Sequence, residues 1–369
     1  MAAFRGERAR AVIVVNCRHL TQETTGVQRF AEHIVRGLAA QRDDLVFVAP
    51  RGFVPSEAGY PVEAVGRFRG HVWEQIDLPR YLARRGNPPL LTLLNTAPVL
   101  YGNKVMTVHD ITFVRHPESF SRAFRAFYGA VLPPALRRSR HLLTVSEFSR
   151  REISSQFGLD PELFTVVPNA VDQRFSTHPM ESETTPSPYL LAVSSPNRHK
   201  NFEAMILAYQ ESGLYPETEL KVVGSRHRSF TDSGASETDV PGVTFLGRVT
   251  DEHLISLYRG ATAFVFPSMY EGFGIPVLEA QAAGTPVISS HAASLRDVLR
   301  DSALLFDPRD VGQMARKMRE VVASTELREN LRQRGRENVA RFSWAQSASI
   351  VSAVLDSITD RRPSSRTVA

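Results

Sequence analysis

Glu271 and Glu279 stand in the stretch AFVFPSMYEGFGIPVLEAQAAGTPVISS, residues 263–290. A carboxylate accepts hydrogen bonds from paired hydroxyls, such as those of a sugar ring or a ribose. An apolar run of strand character ends at Pro267, and a loop with Gly272 and Gly274 follows. Pro276 then falls in the first turn of a helix, where proline is favoured, and Gly284 is placed to end that helix. Glu271 thus lies in the loop and Glu279 about one turn into the helix, so both can face one ligand from different heights. The helix start offers free N–H groups and a positive dipole end, which suits a phosphate. The glycines let the backbone come close to it.

An acidic pair beside a diphosphate needs compensating positive charge. The stretch SSPNRHKNF, residues 194–202, brings Arg198, His199 and Lys200 directly after an apolar run. Arg248, in LGR, is a third cationic candidate, with a surface salt bridge as the plain alternative. His109 and Asp110 end the run KVMTV. A histidine at such an edge can donate to a sugar hydroxyl or a phosphate oxygen, or serve only as a cap. Gly26 opens the first long helix. The sequence holds no D-x-D triplet, no G-x-x-x-x-G-K-[ST] loop, no complete G-x-G-x-x-G and no G-x-S-x-G elbow. No metal site and no bound cofactor are therefore expected.

The elements that must position these groups alternate strand and helix, the mark of parallel α/β sheets. Strands are predicted at 11–16, 45–49, 104–108 and 142–145, and again at 189–193, 220–223, 243–246, 263–266 and 286–289. Phe30, Ile34 and Leu38 lie four apart on one face of the helix that Gly26 opens. Residues 176–188, STHPMESETTPSP, read as a linker. The expected domains are 1–175 and 189–341, with a last helix at 342–360 and a disordered tail at 361–369.

A chain of 369 residues is too long for one ordinary core, which agrees with two domains. The lone cysteine, Cys17, fits a reducing compartment. The start, MAAFRGERAR, lacks the apolar core of a signal peptide, and no apolar run approaches the roughly 20 residues of a membrane span. A cytoplasmic setting is expected. The formal charge of +5 suits acidic partners, either phosphate groups or anionic lipid. Without zinc spacing or an RNA-platform motif, nucleic acid is not expected as a partner.

The E-x7-E pattern inside PSMYEGFGIPVLEAQAAGTPVI resembles the signature of the retaining family 4, or group 1, glycosyltransferases. The resemblance extends over most of the chain, through KVMTVHDITFVRHPESFS, LLTVSEFSRREISSQFGLDPELFTVVPNAVD, HVWEQIDLP, VTFLGRVTDEHLISLYRGATAFVFPS and SALLFDP. It implies the α/β GT-B fold, two doubly wound Rossmann-like domains facing a central cleft, with the helix at 342–360 crossing back to the first. It implies that Glu271 contacts the transferred sugar, Glu279 the ribose, Lys200 the diphosphate, and the amides of Phe273, Gly274 and Ile275 the sugar and diphosphate. His109 would lie beside the transferred sugar and Gly26 near the donor phosphates. Three positions depart from the family pattern. Ser194 and Ser195 stand where an arginine is common, which leaves Arg198, or less readily His199, to substitute. Thr25 replaces the first glycine of a pair, and Ala170 a glycine in VPNGVD.

The subgroup resembled comprises bacterial mannosyl- and deoxyhexosyltransferases of surface polysaccharides. It implies retaining transfer of a hexose, mannose or a deoxyhexose favoured, from a nucleotide diphosphate sugar such as a GDP-sugar. The acceptor would be a saccharide or lipid-linked. The alternatives are glycoside hydrolysis by Glu271 and Glu279, nucleotide-sugar epimerisation, and sugar binding without catalysis. Hydrolysis leaves the basic loop and the helix start without a role. The stretch SFSRAFRAFYGAVLPPALRRSR, residues 119–140, combines aromatics with arginines, as a peripheral contact with the inner membrane face requires. Packing on the sheet is the plain alternative. Pro133 and Pro134 are expected to interrupt that helix.

Overall fold

The computed structural model describes residues 12–53, 58–177, 187–193, 197–224 and 240–360. The expected tail, most of the expected linker, and Ser194 and Ser195 lie outside the described residues. Of that linker, Ser176 and Thr177 end a short helix, Arg174–Thr177.

Two all-parallel sheets make the frame. The first has strands β1 (Ile13–Asn16), β2 (Leu45–Ala49), β3 (Val62–Ala64), β4 (Leu90–Thr92), β5 (Lys104–Thr107), β6 (His141–Thr144) and β7 (Phe164–Val166). Its order is β3-β2-β1-β4-β5-β6-β7. The second has β8 (Tyr189–Val193), β9 (Glu219–Val223), β10 (Val243–Gly247), β11 (Ala263–Phe266), β12 (Val287–Ser290) and β13 (Leu304–Phe306), in the order β10-β9-β8-β11-β12-β13. Strands β1, β8 and β11 are fully or almost fully buried runs of mostly apolar residues, as strands covered on both faces tend to be.

In both sheets the order reverses beside the first strand, between β1 and β4 and between β8 and β11. Doubly wound sheets bind ligands outside the carboxyl ends of the strands at such a point. The sequence does not reveal β3, β4 or β7. Each has three residues, too few to show a period.

Helix α1 (Gly26–Gln41) buries Phe30, Ile34 and Leu38, the face its spacing predicts. Helix α2 (Arg122–Arg137) runs through Pro133 and Pro134, so the expected interruption does not occur. The carbonyls four residues back belong to Gly129 and Ala130, both exposed, where water can take the place of the missing N–H donors. The aromatic stripe of α2 is half-buried. Phe124 stacks between Phe120 and Tyr128 at 5.0 and 4.2 Å, and Phe127 lies 4.6 Å from His71. Packing therefore accounts for much of that stripe, while Arg137 and Arg138 stay exposed.

The last helix, α6 (Trp344–Asp360), crosses back onto α1. Trp344 stacks on His33 at 4.6 Å, Arg42 bonds Asp356 at 2.7 Å, and a Cβ at Gly37 would meet Ala348 at 2.6 Å. Here glycine permits the close approach of two helices.

Candidate active site

The β8/β11 reversal opens into a cleft of about 590 Å³ between the two sheets. After β8 the chain turns through a short 3-10 segment, Arg198–Lys200. Asn201 holds that turn at φ 60°, its amide donating to the carbonyls of Pro267 and Pro308. Lys200 is thereby aimed inward, with Nζ donating to Glu271 Oε1 at 2.7 Å. Both side chains are mostly buried, at 17% and 12% exposure, yet both line the cleft. They form a charged pair with faces left open to a ligand.

After β11 the loop carries Glu271 to the start of α5 (Ile275–Ala282). Gly274 caps that helix at φ 93°, and a Cβ there would sit 2.6 Å from Leu295. Glycine is needed at this position on both counts. Phe273, Gly274, Ile275 and Glu279 all line the cleft. The first amides of an α-helix have no partner within it. Pro276 has no N–H and the Val277 amide donates to the Gly274 carbonyl at 3.2 Å, so Ile275, which lines the cleft with Lys200 and Glu271, is the residue of that start whose amide suits an anion. Burial pushes the Glu279 carboxyl up to about 7, against the pull of the Arg29 charge. Tyr258 donates to its Oε2 at 3.2 Å.

The other half of the wall comes from the first domain. His109 and Asp110 follow β5, and Gly26 begins α1, with Ile275 Cδ1 3.5 Å from where its Cβ would be. His109 is buried, which holds its pKa below the usual histidine range and keeps the ring neutral at pH 7. Its Nε2 lies 3.0 Å from the carbonyl of Leu93. A carbonyl only accepts, so Nε2 carries the proton and is already used. The expectation that this histidine donates to a sugar or phosphate oxygen is thus corrected. The neutral ring offers Nδ1 as an acceptor.

The two arginines expected at the site differ. Arg248 lines the cleft mouth with an 82% exposed side chain, 3.8 Å from Glu23. Arg198 is exposed and does not line the cleft, because the 3-10 turn directs it outward while Lys200 turns in. Its charge is felt instead by Glu118. His199 does not substitute either. It is buried with Nδ1 3.0 Å from Ser119 Oγ, and burial lowers its pKa to about 3.

Arg29 escaped the sequence reading. It lines the cleft one turn after Gly26, bonds Asp251 at 2.6 Å, and lies 4.0 Å from Glu279 Oε1. The helical spacing from Gly26 is a signal that could have found it. Asp251 begins α4 (Asp251–Gly260) and also bonds Arg174 at 3.2 Å. Among the described residues no group of three or more His, Cys, Asp and Glu side chains could hold a metal ion.

Comparison with known proteins accords with this geometry. Residues 175–338 match the family model of glycosyl transferases group 1, and residues 24–175 that of glycosyltransferase family 4. The chain is 30% identical over 318 residues to the O-antigen chain mannosyltransferase RfbU of Salmonella typhimurium, covering 81% of this chain and 87% of that one. It is also 30% identical over 253 residues to O-antigen chain mannosyltransferase B of Escherichia coli, covering 65% of this chain and 66% of the relative. Among solved structures, Anabaena HepE in complex with UDP and glucose superposes with a TM-score of 0.71 at 17% identity, covering 94% of this chain and all of that one. The chain belongs to the group 1 glycosyltransferases, and its two domains form the GT-B fold.

Proposed function

We propose that this glycosyltransferase moves a hexose, with mannose or a deoxyhexose favoured, from a nucleoside diphosphate sugar to a hydroxyl of a saccharide or lipid-linked acceptor, with retention. The observation that carries the reading is the Lys200–Glu271 pair at 2.7 Å beside the start of α5, with Glu279 in the same cleft. An ammonium and a helix start suit a diphosphate, and two carboxylates suit the hydroxyls on either side of it. Two relatives are named as O-antigen mannosyltransferases, which supports mannose, and a GDP-sugar is the donor we favour. HepE holds UDP and glucose, which supports a nucleoside diphosphate donor in general.

The step is a same-face displacement. The bond from the anomeric carbon to the diphosphate oxygen breaks while the bond from that carbon to the acceptor oxygen forms. The acceptor proton passes to the departing diphosphate. Lys200 and the amides of Phe273, Gly274 and Ile275 stabilise the charge that develops there. Glu271 accepts from sugar hydroxyls, His109 Nδ1 accepts from another, and Glu279 accepts from the ribose. With Lys200 in that role, transfer needs no divalent metal and no bound cofactor; the nucleotide sugar is a co-substrate.

No helix among the described residues is long and apolar enough to cross a membrane. A cytoplasmic protein whose exposed Arg137 and Arg138 meet anionic lipid, where a lipid-linked acceptor waits, completes the proposal. The test is to incubate GDP-mannose, a GDP-deoxyhexose and UDP-glucose with saccharide and lipid-linked acceptors, with and without a chelator. Acceptor-dependent nucleotide release, a product of unchanged anomeric configuration and insensitivity to the chelator are expected. Release without acceptor dependence, or loss restored by magnesium, contradicts the reading.

A further inference from the structure

The loop that bears Glu271 is gripped by the opposite domain. Helix α3 (Glu147–Phe157) follows β6, and its cap Ser146 accepts from the Ser149 amide at 3.0 Å. The same Ser146 hydroxyl donates to the Gly272 carbonyl at 2.7 Å, and Ser149 Oγ donates to that carbonyl at 3.2 Å. Both serines are buried. Gly272 immediately follows Glu271, and a Cβ on it would meet the His109 carbonyl oxygen at 2.8 Å and the Asp110 Cβ at 3.0 Å. On the other side of Glu271, Tyr270 lies between His116 at 5.7 Å and Phe148 at 5.5 Å. The residues flanking the sugar-side carboxylate are thus bound to the first domain on both sides.

We infer that Ser146 and Ser149 are positioning residues for transfer. By fixing the Gly272 carbonyl from the first domain, they set where Glu271 stands against the sugar. The ribose-side carboxylate, Glu279, lies in α5 and depends on neither serine. The clasp therefore governs the sugar end of the site and leaves the nucleotide end alone. This inference rests on the proposed role of Glu271.

The test compares Ser149→Ala, which keeps the helix cap, with Ser146→Ala/Ser149→Ala and with Ser146→Thr, which keeps both cap and donor. GDP-mannose turnover, GDP affinity by calorimetry, melting temperature and radius of gyration are read for each. The double variant should lose about 100-fold in kcat, the scale of a roughly 1 Å misplacement, with GDP affinity held within about twofold. Ser149→Ala should fall between it and the parent, and Ser146→Thr should stay within about threefold of the parent. The double variant should also open the two domains in solution scattering. A double variant with unchanged kcat and radius overturns the inference, as does one that loses GDP binding and melting temperature together. Should the parent protein bind GDP yet turn over no donor, the proposed function falls, and the scattering result still decides the clasp.

Discussion

The two domains share one order over six strands, the first adding β7 at its edge, and each has a reversal point with an ion pair beside it, yet the pairs differ in what they leave open. In the first domain Glu74 is wholly buried. Asn16 Nδ2 donates to it at 3.0 Å, Arg18 Nε lies 3.3 Å away, and the Arg18 guanidinium also donates to Thr96 at 2.8 Å. Despite the cost of burial, Arg18 and His71 hold the Glu74 carboxyl below the usual range. In the second domain Lys200 and Glu271 face each other but also line a cleft. The fold gives both domains a reversal point, and the side chains decide which pair is closed off and which lines an open cleft.

The largest expected effect falls on the closed pair. Glu74→Ala leaves Arg18 charged and buried, and should cost about 3–5 kcal/mol of stability in urea unfolding. A loss well under that range would break the contrast by showing the first pair to be open to water. Next comes Lys200→Ala, which should lower turnover by about 10²–10³-fold, the worth of one preorganised charge-stabilising donor, with a much smaller change in unfolding midpoint. If Lys200→Ala instead behaves like Glu74→Ala, the two pairs are alike and the cleft has no special standing.

A smaller effect sharpens the ribose end. In its proposed role Glu279 accepts from the ribose hydroxyls best as a carboxylate, and burial pushes that carboxyl up to about 7. GDP affinity should therefore rise roughly tenfold from about pH 6 to about pH 8 and then level off, and Glu279→Gln should flatten that rise. Stability runs the other way. The unfolded chain loses this proton first, so the folded state is weakened as pH climbs from the ordinary carboxylate range to about 7. A flat affinity profile in the parent protein would remove Glu279 from nucleotide recognition.

The second-domain site was legible because its signals are contiguous. Glu271, Gly272, Gly274, Pro276 and Glu279 occupy one strand–loop–helix unit, and β8 and β11 have the bounds expected from their apolar runs. Arg29 and Asp251 were not legible as a pair, since 222 positions separate them and only the folded cleft brings them together. The grip of Ser146 on Gly272 spans 126 positions and was hidden for the same reason. Arg198 and Lys200 stand two positions apart in one basic run, and only the turn between them sends one outward and one in.

The central claim is that Glu271 serves the transferred sugar and not the nucleotide. It is tested most directly by turnover of Glu271→Ala at saturating donor, with GDP affinity measured on the same preparation. Turnover should fall by about 10²-fold or more while GDP affinity stays close to that of the parent protein. Near-normal turnover, or a loss of GDP binding that matches the loss of rate, would contradict it.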